Sequence, residues 1–350
     1  MNISDPSQIA AKFNELKTRW QRASETASLA SLSREITDIS AKVRSLSSDI
    51  ARIRERRYVF SKYLEHKAEV VHEHWQLSAQ QAQDGIERER TALQQDIEQA
   101  NMLIQKAEMV SNNPKVQLDI LPLIENAVTQ LETKTKTSTD QIKALYSPHL
   151  TDINQTIEQL RKINWYLNQR DEASFSFLAG ESVFLAADAE WVVTGQGGKD
   201  PDGILFLTDQ RLVFEQKETT GKTLGLFGGK KAHEMKWEVP LNQIEKVEAE
   251  NKGLFGGKDM LNFTLGSGAR YPIMTVEVKG GVQSKFWAAQ INRMVRGETD
   301  DERAIQPDQE MLEAIRRAPT ACHVCGATLP RLVANQTQMS CEYCGTIIRL

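Results

Sequence analysis

Glycine is nearly missing from half of this 350-residue chain: Gly85 is the only one before residue 175, and the other nineteen follow. A segment that long without glycine is a poor candidate for tight turns and sheet, so residues 1–174 are expected to be helical, with turns left to the second half. Cysteine is absent until Cys322, and all four copies lie in the last thirty residues. A set so localised excludes a disulfide scaffold of the secreted kind. No run approaches the roughly eighteen apolar residues of a membrane-spanning helix. The opening Met1–Ala10 (MNISDPSQIA) also lacks the basic patch and apolar core of a secretory signal. The chain is therefore expected in the cytoplasm. Positive charge is not in excess: 43 Lys+Arg face 47 Asp+Glu, a formal −4. Bulk electrostatics thus draws it neither to nucleic acid nor to membrane, and any such binding must be local.

Residues 1–174 carry a helical pattern. Leu29, Leu32, Ile36, Ile39, Val43, Leu46, Ile50, Ile53, Arg57, Phe60 and Leu64 follow a 3-4 alternation, apolar except at Arg57. That spacing predicts a coiled-coil seam of roughly 50 Å. Arg57 either sets register or lets its long stem snorkel out. Pro6 after Asp5 predicts the helix start. The pattern resumes through Ile86, Leu93, Ile97, Ala100 and Ile104, and breaks are expected at Ser111–Pro114 and at Ser147–Pro148. Whether the seam pairs within one chain or between chains, as a homo-oligomer or with a partner helix, stays open at this level.

From residue 181 the chain changes to short β-branched and aromatic runs. Candidate strands are 182–186, 191–194, 203–208, 211–216, 233–239, 244–250, 260–265 and 271–278, followed by a helix at 283–295. Gly203–Phe214 (GILFLTDQRLVF) and the corner Trp237–Ile244 (WEVPLNQI) resemble the strand–turn–strand signature of the GRAM and pleckstrin-homology-like superfold. The resemblance implies an antiparallel sheet closed by one C-terminal helix over 175–297, in a class whose members bind phosphoinositides or only proteins.

Cys322-x-x-Cys325 and Cys341-x-x-Cys344, fifteen residues apart, have the spacing of a four-cysteine zinc site. Two intervening residues let both thiolates of a tight turn face one ion, and Gly326 and Gly345 supply the permissive backbone after each pair. The stretch 319–350 resembles a zinc ribbon with one structural Zn²⁺. Four thiolates would fill a tetrahedral ion and leave no position for substrate. His323 is surplus to the set, and the βαβ context of a redox Cys-x-x-Cys is missing. Residues 298–318 read as a linker or as a short helix at 308–317.

The hexapeptide GLFGGK occurs twice, at Gly225–Lys230 and Gly253–Lys258. A phosphate-binding P-loop needs four residues before its Gly-Lys and Ser or Thr after it, and neither copy complies. If the sheet is a simple meander, both copies emerge at one end. Leu226, Phe227, Leu254 and Phe255 would then stand among Lys230, Lys231 and Lys258, suited to an anionic membrane surface. A protein contact or an inward-packed closure of the sheet fits the same residues. Glu69 and His72 match half of a helical di-iron motif that has no second half. Arg52, Arg54, Arg56 and Arg57 form a basic cluster interrupted by Asp49 and Glu55. With no catalytic constellation, the chain is expected to be a non-enzymatic multidomain α+β adaptor. Its helical region (1–174) would oligomerise or recruit a helix, its GRAM/PH-like domain would touch a membrane or protein, and its ribbon would dock a protein. A protein-bridging subunit is the alternative, and a nucleic-acid-associated zinc-ribbon factor is the less favoured one, since the ribbon offers Arg331 and Arg349 but no stacking platform.

Overall fold

The computed structural model describes residues 5–194, 200–220, 230–252, 257–334 and 336–349, with the side chains of 218–220 and 230–232 outside that description. These residues form two compact units. One comprises the chain through Ser48 together with His66–Ile157; the other comprises Asp49–Glu65 together with Glu158 onward.

The first unit is helical. Helix α1 (Pro6–Ala27) begins where Asp5 caps it, its carboxylate accepting from the Ser7 N–H. Helices α2 (Ala30–Glu55), α3 (Leu64–Met109) and α4 (Pro114–Asp171) follow. Cross-links give the pairing: Arg19 meets Glu132 at 2.6 Å, Arg90 Nε donates to the Ser28 carbonyl at 3.1 Å, Trp75 Nε1 donates to Ser40 Oγ at 2.9 Å, and Lys134 meets Asp96 at 2.7 Å. The α1–α2 leg and α4 thus both run antiparallel to α3, and the apolar rows, including Leu32, Ile36, Val43, Leu46, Leu93, Ile104, Ile124 and Leu131, are buried within one chain.

Three expectations about this region need correction. The helix that starts at Pro6 does not run on into the seam but breaks at Ser28–Leu29, where Leu29, the first seam residue, takes φ 52°. The seam also ends earlier than its spacing predicts. Arg57 takes φ 62° and the Tyr58 N–H donates to the Ile53 carbonyl at 2.9 Å, a left-handed helix stop with arginine in the usual glycine position. Arg57 is therefore an exposed cap and no seam residue, and Phe60 belongs to the turn. Third, α4 runs through both Pro122 and Pro148. Each proline removes one backbone bond at a cost of about 3 kcal/mol. Burial of Ile142, Tyr146 and Ile153 on either side of Pro148 holds the helix together.

In the second unit, strands β1 (Val183–Trp191), β2 (Asp202–Thr208), β3 (Arg211–Thr220), β4 (Lys230–Pro240), β5 (Ile244–Lys252), β6 (Lys258–Leu265) and β7 (Ile273–Val278) form one antiparallel sheet ordered β4-β3-β2-β1-β7-β6-β5. The run expected at 182–186 extends as one strand, β1, to Trp191, and 192–194 of the second expected run lie beyond it. Strand β1 pairs with β2 along its length and with β7 at its end. Helix α5 (Ser284–Val295) buries Trp287, Ala288, Ile291 and Met294 and leaves Phe286 exposed. Seven strands closed by one helix are the PH-like arrangement the resemblance implied.

Strands β1 and β2 read as nearly unbroken apolar runs because both faces of the sheet are covered there. On the outer face, Val183, Ala186, Ile204, Phe206 and Val213 pack beneath Trp165, Tyr166, Phe175 and Phe177 from the end of α4 and the segment after it. The α2–α3 turn belongs to this unit too: Phe60 stacks edge-on against Phe184 at 4.9 Å, and its neighbour Val59 accepts from the Ala304 N–H at 2.7 Å. Helix α6 (Gln309–Arg317), capped by Asp308, realises the helical option for 308–317. Strands β8 (Gln338–Ser340) and β9 (Ile347–Arg349) form the last hairpin.

Candidate metal centre and interaction surfaces

The two Cys-x-x-Cys pairs fold as near copies of one turn. The Gly326 N–H donates to the Cys322 carbonyl and the Gly345 N–H to the Cys341 carbonyl, both at 2.8 Å, with φ 73° at each glycine. The β8–β9 hairpin brings the second turn onto the first. The four sulfurs lie within 4.8 Å of one another, with Cys322–Cys344 and Cys325–Cys341 at 3.6 Å. A metal bound tetrahedrally by sulfur at about 2.3 Å spaces its ligands by about 3.8 Å, so the set fits such an ion. Electrostatics favours a cation as well. N–H groups of Cys325 and Val324 hold the Cys322 thiol below its ordinary range, and the Thr346 hydroxyl and N–H bring Cys344 down to about 6. At Cys325 the Ala327 N–H pulls downward, but desolvation and the adjacent sulfurs push it up to about 12. Four thiolates this close ionise together only around a positive charge. Cys322 and Cys341 are buried with Leu329, Met339 and Ile348, and the exposed side of the cluster carries Val324 and Tyr343 at the same position of each turn, 63% and 83% exposed.

For the expected loop cluster the structure gives only the strands that flank it. Leu226, Phe227, Leu254 and Phe255 lie outside the described residues, and Lys230 and Lys231 open β4 opposite Thr220 and Thr219. A meander would send both hexapeptides to one end. However, β7 is antiparallel to β1, β6 to β7 and β5 to β6, so β5 runs in the same sense as β4, which sits at the opposite edge. Pro240 and the short turn Leu241–Gln243 reset the alternation. β5 therefore finishes at the end opposite that at which β1 and β3 finish, whereas β6 finishes on their side and the β6–β7 connection starts there. Lys258 is engaged by Glu277 at 2.8 Å.

That shared end holds residues the sequence reading passed over. Val193 and Ile273 are 56% and 71% exposed, and the Arg270 guanidinium lies 5.3 Å from the Tyr271 ring centre. Tyr271 in turn meets Trp191 at 5.5 Å. Val193 was legible only as part of a strand, and Ile273 as a member of an alternating run whose exposed face could not be told from its buried one.

A polar cavity of about 480 Å³ opens over the outer face of β1–β3. Its lysines are already paired: Lys279 with Glu190 and Asp202, and Lys217 with Glu172 and Gln169. With Asp188 also in the lining, the pit has no surplus positive charge to hold an anion. Two of the four arginines in the basic cluster are structural as well. Arg54 reaches into the α2–α3 turn, and Arg56 binds Asn164, Asn168 and Asp171. Among the described residues no helix is long and apolar enough to cross a membrane.

No sequence-family profile and no curated protein sequence matches the chain. Solved structures similar to it include the Vps36 N-terminal PH domain, at 11% identity over 34% of this chain and 82% of that one, TM-score 0.24. The DH/PH domains of PDZ-RhoGEF, in complex with GTP-γ-S-activated RhoA, match at 13% identity over 80% of this chain and 95% of that one, TM-score 0.29. A DUF1696-family protein with a pleckstrin-homology domain from Shewanella loihica matches at 20% identity over 33% and 78%, TM-score 0.19. None of these scores is high enough to bear on function.

Proposed function

We propose that this chain is a non-enzymatic cytoplasmic adaptor whose GRAM-like domain contacts an anionic membrane surface and whose four cysteines hold one structural Zn²⁺. The membrane reading is supported chiefly by exposed Val193 and Ile273 beside the Arg270–Tyr271 pair, at the end of the sheet shared by the β1–β2, β3–β4 and β6–β7 connections. Apolar tips enter the headgroup boundary, and each nearby basic side chain adds about 1 kcal/mol on anionic lipid. In sequence Leu226 and Phe227 fall between β3 and β4, and Lys230 and Lys231 open β4. The helical region offers Leu77, Met102 and Met109, all more than 60% exposed, for self-association or a partner helix. Oligomerisation would multiply weak loop–lipid contacts. A second reading, a protein-bridging subunit, is favoured by exposed Val324 and Tyr343 on the ribbon.

Flotation with anionic and neutral vesicles tests the first reading, alongside a folded Phe227→Asp/Ile273→Asp variant. Binding to anionic vesicles that the variant loses is expected. A wild-type chain that fails to float at low salt refutes membrane contact and leaves partner capture. Elemental analysis should find one zinc per chain, unchanged in His323→Ala and lost in Cys325→Ser/Cys344→Ser.

A further inference from the structure

The span between the two cysteine turns is not a free loop. The Ala179 N–H donates to the Leu332 carbonyl at 2.8 Å and the Ala334 N–H to the Phe177 carbonyl at 2.9 Å, with Leu178 and Val333 bridged between them. Residues 332–334 thus form an antiparallel bridge along 177–179, the stretch that joins α4 to β1. The same stretch is gripped from the sheet side. Gln210 Nε2 donates to the Ala179 carbonyl at 3.0 Å. Buried Arg211 makes two 2.8 Å contacts to Glu181 and donates to the Ser176 carbonyl at 3.0 Å. Glu238 joins the two grips, meeting Arg211 with one oxygen and Arg331 at 2.7 Å with the other.

We propose that metal occupancy of the four-cysteine cluster is the clasp that fastens the α4–β1 junction: the ion closes the two turns, the turns fix the span 331–334, and the span supplies backbone partners to Phe177 and Ala179. The ribbon has little else to hold it in shape. Its buried cluster is Cys322, Leu329, Met339, Cys341 and Ile348, of which two are themselves ligands. A core that small does not order thirty residues unaided. Without the ion, ordering the span costs more conformational entropy than two backbone bonds and a half-exposed ion pair return. The junction then loses its outer strand and retains only the Arg211 side. Linkage makes the coupling mutual: whatever loosens the span weakens metal affinity by the same factor.

The clasp rests on the metal reading, and amide exchange of the full chain separates the two. In zinc-loaded protein the Ala179 amide should be protected, and chelation should speed its exchange by at least about tenfold while Phe206 in β2 stays slow. Ala334→Pro deletes the donor to Phe177 and leaves every cysteine in place. It should deprotect Ala179 even when loaded and lower zinc affinity by a matching factor. Chelation that speeds exchange only within 319–349, or an Ala334→Pro chain with unchanged zinc affinity, overturns the clasp while the metal site stands. Failure of the purified chain to take up any metal overturns both.

Discussion

Replacing Arg54 with alanine should damage the α2–α3 turn out of proportion to the size of the change. Its guanidinium donates to the carbonyls of Tyr58, Phe60 and Ser61 at 2.7, 2.6 and 3.0 Å, and grips the Glu65 carboxylate at 2.8 and 3.0 Å. The side chain is 14% exposed, and Tyr58, Phe60 and Ser61 are buried, so water replaces these bonds poorly. Three carbonyls bonded by a charged donor contribute about 1 kcal/mol each. The Glu65 pair, nearly half exposed, adds at most about 0.5 kcal/mol. The expected loss is about 3 kcal/mol, a roughly hundredfold rise in native-state exchange at Tyr58 and Leu64. Arg54→Lys should lose about 2 kcal/mol, since one ammonium cannot span the fork. The Arg54 hydrogen bond holds Glu65 below its ordinary value of 4.5. Its stabilisation is therefore complete above pH 4.5 and is lost as pH falls through the lower folded value, a dependence Arg54→Ala should abolish. A loss under about 1 kcal/mol, or lysine performing as well as arginine, would refute this account of the turn.

Gly203→Ala should cost at least about 3 kcal/mol in chemical denaturation of the sheet. A Cβ there would lie 1.9 Å from the Glu215 carbonyl oxygen, a backbone atom that cannot rotate away; a midpoint within error of wild type would mean the strands part freely. Arg303→Met should cost about 3–5 kcal/mol by leaving buried Asp209 without its 2.5 Å partner, with Arg303→Met/Asp209→Asn recovering most of it. Burial already holds Asp209 above its ordinary 3.8 and Arg303 opposes that. The single variant should therefore lose stability as pH rises from the ordinary carboxylate value through the raised folded one, and urea midpoints measured on either side decide it.

What could be read in advance follows from how local the cause is. Asp5–Pro6, the Ser111–Pro114 break and the spacing of Cys322, Cys325, Cys341 and Cys344 are short-range chemistry, and each appears where its residues stand. Arg57 misled because a helix can stop on any residue that accepts a left-handed conformation, and periodicity does not register one φ angle. Pro148 misled in the opposite direction, its local penalty outweighed by burial on both sides. The expectation that both hexapeptides share one end rests on consecutive hairpins alternating, whereas strand direction in the second half of the sheet depends on β1 pairing with β7, nearly ninety residues away. Pairing at that separation leaves no mark in a window of ten residues.

The unit that contains the sheet is discontinuous in a way that concerns its synthesis. Lys62 donates to the Glu302 carbonyl and the Ala304 N–H to Val59, so the partners of this turn lie some 240 residues downstream. At about 5–20 residues per second a ribosome takes roughly 12–50 s to deliver them. For that interval the turn lacks these backbone partners, although Phe184, which covers Tyr58 and Phe60, is made about halfway through it. The turn is thus among the first parts of this unit to be made and cannot be completed until residues 302–304 have been added.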